Sequence, residues 1–241
     1  FQKYLASGNT EHVAEIQIRL GYLYLESNQQ KKAIKIFEQY LASGAIDHSA
    51  AIQLRLAYLY VENKQNFLAI SLLEQVRLLP DYQQNSEILQ TLMVLYRDTV
   101  SKEKYVQFLL GVRSDARLEE KERHGFQTQL ILTYYEQKKC EKLLAELKNK
   151  PGYLQNSKNT NQEEWQHLLF LKGSCLIETK RWEDSRIVFR KIRETEKYRE
   201  QSIQMLLEAH KQLEDWKSIT WEFQDVFDRK SPVLTIQYFQ L

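Results

Sequence analysis

A chain of 241 residues with only seven Gly and three Pro has too few turn-forming residues for a loop-rich all-β or α/β domain, so an all-helical fold is expected. Apolar residues make up 43% and charged residues 27%, enough to build a core and to exclude general disorder. Thirty-four Lys and Arg stand against 32 Asp and Glu, a net charge of +2 that supplies no broad field for neutralising phosphates, and no nucleic-acid partner is expected. No apolar run approaches the ~20 residues needed to span a bilayer, and direct membrane insertion is not expected.

The chain opens on FQKYLASG (1–8), which recurs as FEQYLASG at 37–44, and IQIRLGYLYLE at 16–26 recurs as IQLRLAYLYVE at 52–62, with a common offset of 36. Residues 1–8 therefore read as the end of a preceding helix pair. In 9–44, Ile16, Leu20, Leu23 and Tyr24 fall at helical spacing, the polar SNQQ interrupts them, and Ala33, Ile34, Phe37, Tyr40 and Leu41 resume the pattern. Each unit is thus two amphipathic helices. Gly8 and Gly44 follow the second helix, where a left-handed C-cap favours a residue without a Cβ. The second unit covers 45–80.

Aligning the chain on the residue that opens each second helix gives Gln30, Asn66, Lys102, Cys140, Trp182 and Trp216. Four further units follow at 81–114, 115–162, 163–196 and 197–231. The intervals of 36, 36, 38, 42 and 34 place insertions near 113–124 and at 151–162, where PGYLQNSKNTNQ reads as a mobile loop. Residues 232–241 read as the start of a further helix or a cap. Ile236, Tyr238, Phe239 and Leu241 would form an uncapped stacking face, so a longer native chain is expected.

Small residues at the eighth and twentieth places, an aromatic at the eleventh and an aromatic or aliphatic at the twenty-fourth make these units resemble the tetratricopeptide repeat. The places hold Gly21, Ala33, Tyr24 and Phe37 in the first unit, and Ala57, Ala69, Tyr60 and Leu73 in the second. In the fifth they hold Gly173, Ser185, Leu176 and Phe189, and KRWEDSRIVFRKI is similar to the start of the family's second helix. The resemblance implies a right-handed α-solenoid of about six helix pairs. Units three, four and six carry large residues at both close-approach places: Met93 with Tyr105, Ile131 with Leu143, and Leu207 with Ile219. Bulky residues hold helices farther apart than the ~8 Å that small ones permit, which predicts wider pairs there and an irregular superhelix.

No catalytic constellation is present in the sequence. The five His residues form no His-x-x-x-His pair, and there is no phosphate-cradling Gly-rich loop and no Gly-x-Ser-x-Gly elbow. His12 and His48 are equivalent across two units, but two His without carboxylate or thiol neighbours make a poor metal site. No metal or cofactor is implied. Cys140 and Cys175 read as small buried hydrophobes, with a disulfide between them left open.

In the tetratricopeptide family the first helices line the concave surface through their second, fifth, ninth, twelfth and thirteenth places. Carried over, the resemblance implies a partner-binding surface of Ile18, Tyr22, Leu25 and Glu26, then Leu54, Tyr58, Val61 and Glu62. It continues through Val94, Arg97 and Asp98, then Leu132, Tyr135 and Glu136, then Phe170, Ile177 and Glu178. The thirteenth place is acidic in five consecutive units. The helix macrodipole opposes an acidic residue there by about 0.3–1 kcal/mol, which invites a compensating cation, internal or foreign. Arg19 and Arg55 are the internal candidates for Glu26 and Glu62; Thr91, Gln129 and Leu171 stand in their place farther along, where a basic ligand is expected instead. Tyr22 and Tyr58 either fill the groove or anchor a ligand.

Family members that clamp an acidic chaperone tail use Lys and Asn where this chain has Ile18 and Tyr22, so that role is not expected. The expected function is a non-catalytic scaffold that holds a segment of another protein, preferably basic, in an apolar groove with an acidic edge. The alternatives are a regulatory or substrate-positioning arm of a longer enzyme or sensor, and a self-assembling repeat module.

Overall fold

The computed structural model describes residues 12–82, 86–115, 118–148, 162–193, 195 and 197–222; the features expected at 1–8, 151–161 and 232–241 lie outside them. The described residues form twelve α-helices and one short 3-10 turn. They are α1 (Val13–Glu26), α2 (Gln30–Ala42), α3 (Ser49–Glu62), α4 (Asn66–Val76), α5 (Ser86–Thr99) and α6 (Lys102–Arg113). After them come α7 (Glu120–Glu136), α8 (Cys140–Lys148), α9 (Gln162–Glu178), α10 (Trp182–Ile192), α11 (Arg199–Gln212) and α12 (Trp216–Glu222). The six second helices begin at the six residues on which the sequence aligns. Gln162, expected in the loop, is instead the first residue of α9. The chain divides into two compact units, Phe1–Gln127 and Thr128–Leu241.

A helix pair needs a sharp reversal, and five of the six make it in the same way. Asn28, Lys64, Lys138, Lys180 and Glu214, each two residues before a second helix, adopt left-handed backbone with φ between 54° and 60°. Only one of these is Asn, the non-Gly residue most at ease there. The remaining pair has Val100 at that place, and a β-branched side chain resists positive φ. Its turn closes differently: Ser101 is extended, with φ −64° and ψ 151°, and its side chain accepts a hydrogen bond from Lys104 N as an N-cap. Gly44, by contrast, takes φ +75° just past α2, as its C-cap position requires.

Close approach within the pairs rests on an aromatic ring occupying the space of an absent Cβ. A Cβ added at Gly21 would lie 2.6 Å from Phe37 Cζ, and one added at Gly173 would lie 2.6 Å from Phe189 Cζ. Both rings are fully buried. In the second unit the residues are Ala57 and Leu73, also fully buried, so the larger small residue faces the smaller large one. α1 packs closely along α2, α3 along α4 and α9 along α10.

Within Thr128–Leu241, polar ties join successive pairs. Arg186 on α10 binds Asp215 Oδ2 at 2.7 Å and Glu183 at 2.7 Å. Hydrogen bonding from Ser218, where Asp215 caps α12, is the chief cause that holds the Asp215 carboxyl below its usual range. On α9, His167 Nδ1 lies 2.8 Å from the Tyr198 hydroxyl, and Lys197 pairs with Glu163. Burial is the main cause that pushes the His167 imidazole below its ordinary value, assisted by Lys197 and opposed by Glu163.

Replacing Gly21 by Ala is expected to cost about 1–3 kcal/mol by overpacking against Phe37. Gly21→Ala combined with Phe37→Leu recreates the Ala57 and Leu73 arrangement and should recover most of that loss. Gly111→Ala, where an added Cβ meets open space, should gain a few tenths to about 1 kcal/mol. Urea unfolding of the three variants checks the series.

Because the folded state holds the His167 proton less tightly than the unfolded chain, unfolding takes up a proton as pH falls below about 6.5. Stability is therefore fully present above that pH and declines as pH drops through the folded value. Urea midpoints measured at pH 7.5 and pH 5 should fall less in His167→Gln than in the parent chain.

Candidate partner-binding groove

The residues assigned to the groove are divided between the two units, and each half has its own character. In the first, the first helices α1, α3 and α5 present side chains that their second helices leave partly uncovered. Tyr22 is 41% exposed, with its ring edge-on to Phe37 at 5.5 Å. Ile18, Leu25, Leu54, Tyr58 and Val61 are half-buried, and Val94 is 41% exposed. Tyr58 Oη donates to Glu87 Oε1 at 3.2 Å, a contact from α3 to α5. Burial, followed by the facing Glu87 charge, pushes the Tyr58 phenol above its ordinary value. Tyr58 thus joins two first helices while keeping part of its ring accessible.

The acidic positions differ in how they are satisfied. Glu62 accepts from Gln30 Nε2 at 2.8 Å, a partner from α2 rather than an Arg. Arg19 pairs with Glu15 Oε1 of its own helix at 2.7 Å, and Arg55 makes no ion pair among the described residues, so the expected ladder to Glu26 and Glu62 is not formed. The reason is geometric: Glu15 lies one helical turn from Arg19, the spacing at which side chains meet most easily. Glu26 is exposed and unpaired among the described residues. Asp98 takes the guanidinium of its neighbour, with Arg97 Nε at 2.9 Å from Oδ1, so it too has a cation close at hand.

In the second unit Tyr135 is half-buried and Glu136 is exposed, without an ion pair among the described residues. Phe170 is half-buried, stacked on Tyr198 at 5.0 Å and edge-on to Phe189 at 6.0 Å. Glu178 Oε2 lies 3.2 Å from Cys140 Sγ. That sulfur is bonded to Cys175, so both cysteines are buried, as expected, and the disulfide that the sequence left open is formed. A disulfide sulfur has no proton, so its contact with Glu178 is no hydrogen bond while the bond is intact. The first residue of a second helix therefore meets the thirteenth-place carboxylate of the following pair twice, through Gln30 with Glu62 and through Cys140 with Glu178. In the equivalent place Asn66 reaches Thr99 Oγ1 instead, at 3.1 Å.

A feature that sequence reasoning missed lies on other helices of the first unit. A cleft of about 590 Å³ is lined by Glu74 of α4 and its C-cap Arg77, Tyr96 of α5, and Lys104 and Phe108 of α6. Tyr96 and Phe108 stack at 4.7 Å, and Arg77 Nε pairs with Glu74 at 2.6 Å. Burial and the Glu74 carboxylate push the Tyr96 phenol upward. Only the exposed Gly111 on its rim marks it in the sequence, because its walls come from three helices. Among the described residues no group of three His, Cys, Asp or Glu could hold a metal, and no helix is long and apolar enough to cross a membrane.

Residues 15–43, which cover α1 and α2, match the tetratricopeptide repeat model. No curated protein matches the chain. Among solved structures, one of MamA AMB-1 is similar over 79% of this chain and 98% of its own, with 15% identity and a TM-score of 0.51. A structure of Naa15/Naa10 bound to HypK-THB is similar over 90% of this chain and 36% of its own, with 17% identity and a TM-score of 0.54. At these identities the likeness establishes fold. The chain thus carries one tetratricopeptide repeat at 15–43 and, over its described residues, an all-helical fold of successive helix pairs similar to that of these solved structures.

Proposed function

We propose that the chain is a non-catalytic scaffold that holds a segment of another protein against its first helices, with aromatic and aliphatic anchors and a preference for basic residues. The fold is one used for protein–protein interaction. The observation that carries the finer reading is on α1, where the 41% exposed ring of Tyr22 stands one helical turn from the exposed, unpaired carboxylate of Glu26. A tyrosine held edge-on by a buried neighbour loses little freedom on binding and offers both apolar area and a hydroxyl. A carboxylate without an internal cation gains most from a foreign one, in keeping with its unfavourable place near the helix C-terminus.

The same argument ranks the remaining residues. Leu25, Tyr58 and Val61 extend the apolar strip from α1 to α3, while Tyr135 and Glu136 repeat the pairing of aromatic and free acid in the second unit. Ile18 and Leu54 are half-buried and supply the floor. Glu62, Arg97, Asp98 and Glu178 already have neighbours and contribute less to charge selection. The Naa15/Naa10 structure, solved with HypK-THB bound, illustrates a related fold engaged with another protein.

Arrays of peptides that share an apolar core and differ only in flanking charge test the proposal. Basic-flanked peptides should be retained over acidic ones, and raising salt should narrow the difference. Tyr22→Ala should weaken the retained peptides about tenfold or more, as loss of a binding anchor does. Glu26→Lys should reverse the charge preference without changing the folded stability. Retention indifferent to both substitutions would exclude the α1 surface.

A further inference from the structure

We propose that Cys140 and Cys175 form a redox-operated staple between α8 and α9, opened and closed by thiol–disulfide exchange with a dithiol. The inference is independent of the groove reading and rests on the placement of the two residues. Cys140 is the first residue of α8 and Cys175 lies well inside α9, 35 positions later. Their Cα atoms stand 5.0 Å apart, within the span that a disulfide bridges without moving the backbone. Cys140 and Cys175 are the two cysteines of these 241 residues, and neither is free.

The surroundings suit both redox states. With the bond intact, the Glu178 carboxylate at 3.2 Å receives no proton from Cys140 Sγ. With the bond reduced, the Cys140 thiol becomes a donor aimed at that oxygen, and the new polar group is satisfied where it stands. Cys175 is fully buried and Cys140 is 5% exposed, which makes Cys140 Sγ the sulfur that an attacking thiolate reaches first. Attack there forms a mixed disulfide and expels Cys175 as a thiolate, which takes up a proton. The reagent's second thiol then displaces Cys140, so one S–S bond breaks in the protein, one forms in the reagent, and two electrons pass from reagent to protein.

The element that responds is α8. It has nine residues, shorter than a helix that persists by itself in water, and its first residue is the stapled one. Its inward residues Leu143, Leu144 and Leu147 are buried, so packing retains the helix after reduction but no longer with a covalent anchor. Reduction also releases the constraint on the unfolded chain between the two cysteines, a constraint that grows with the length enclosed.

The test compares the unmodified full chain in its two states, so no variant has to fold. Protein equilibrated in an oxidising glutathione buffer, then unfolded and treated with N-ethylmaleimide, should take up no label, whereas prior dithiothreitol should give two additions by mass. Amides of α8 should exchange hydrogen at least about tenfold faster after reduction, and the thermal midpoint should fall by at least about 5 °C. Cys140→Ala should match the reduced chain and ignore dithiothreitol. Two additions without reductant, or identical α8 exchange and midpoint in both states, would overturn the proposal.

Discussion

The structure depends on how closely two helices of a pair can approach. Where Gly21 and Gly173 stand, the rings of Phe37 and Phe189 sit in the space that a Cβ would need. That contact brings the axes together, buries both rings and turns the remaining faces of the first helix outward. The Ala57 and Leu73 pair shows the same constraint as a trade in volume, since what one side gains the other gives up. Met93 and Tyr105 occupy the corresponding places in the third unit, and a cleft lies among α4, α5 and α6.

The turns follow from that packing. Left-handed backbone at Lys64, Lys138, Lys180 and Glu214 is unfavourable for residues with a Cβ, by roughly 1–2 kcal/mol each. It persists because the helices on either side are held by their own contacts and leave no other path for a short reversal. Val100 marks the limit of this tolerance. A branched side chain would raise the strain further, and that pair closes through the Ser101 N-cap instead. The turn residues thus carry little of the usual turn chemistry, and their conformation is imposed from outside.

At the candidate site, the residue types were legible and their partners were not. Tyr22 and Tyr58 stand out as aromatics on the outward face of an amphipathic helix, and both keep accessible area. The acidic thirteenth place was visible as a recurring feature, yet its partners came from an unexpected direction. Gln30 reaches Glu62 from the preceding second helix, while Arg19 turns to Glu15. Phe170 was assigned to the groove by its place alone, and Tyr198, from the following helix pair, stacks on its half-buried ring. Spacing along one helix states which face a residue occupies; what lies opposite that face belongs to another helix.

Repeat length, helix starts and the identity of the close-approach residues were determined by the sequence itself, because each is a local property. Apolar side chains spaced at 3.6 residues define a face, and the offset of 36 locates its copies. Only the tertiary structure decided that Cys140 meets Cys175, that Glu62 is satisfied by Gln30, and that a cleft opens beside Tyr96. Each of these depends on the rotation and sliding of one helix against another. Those are set by the summed packing of many side chains, so no short motif records them.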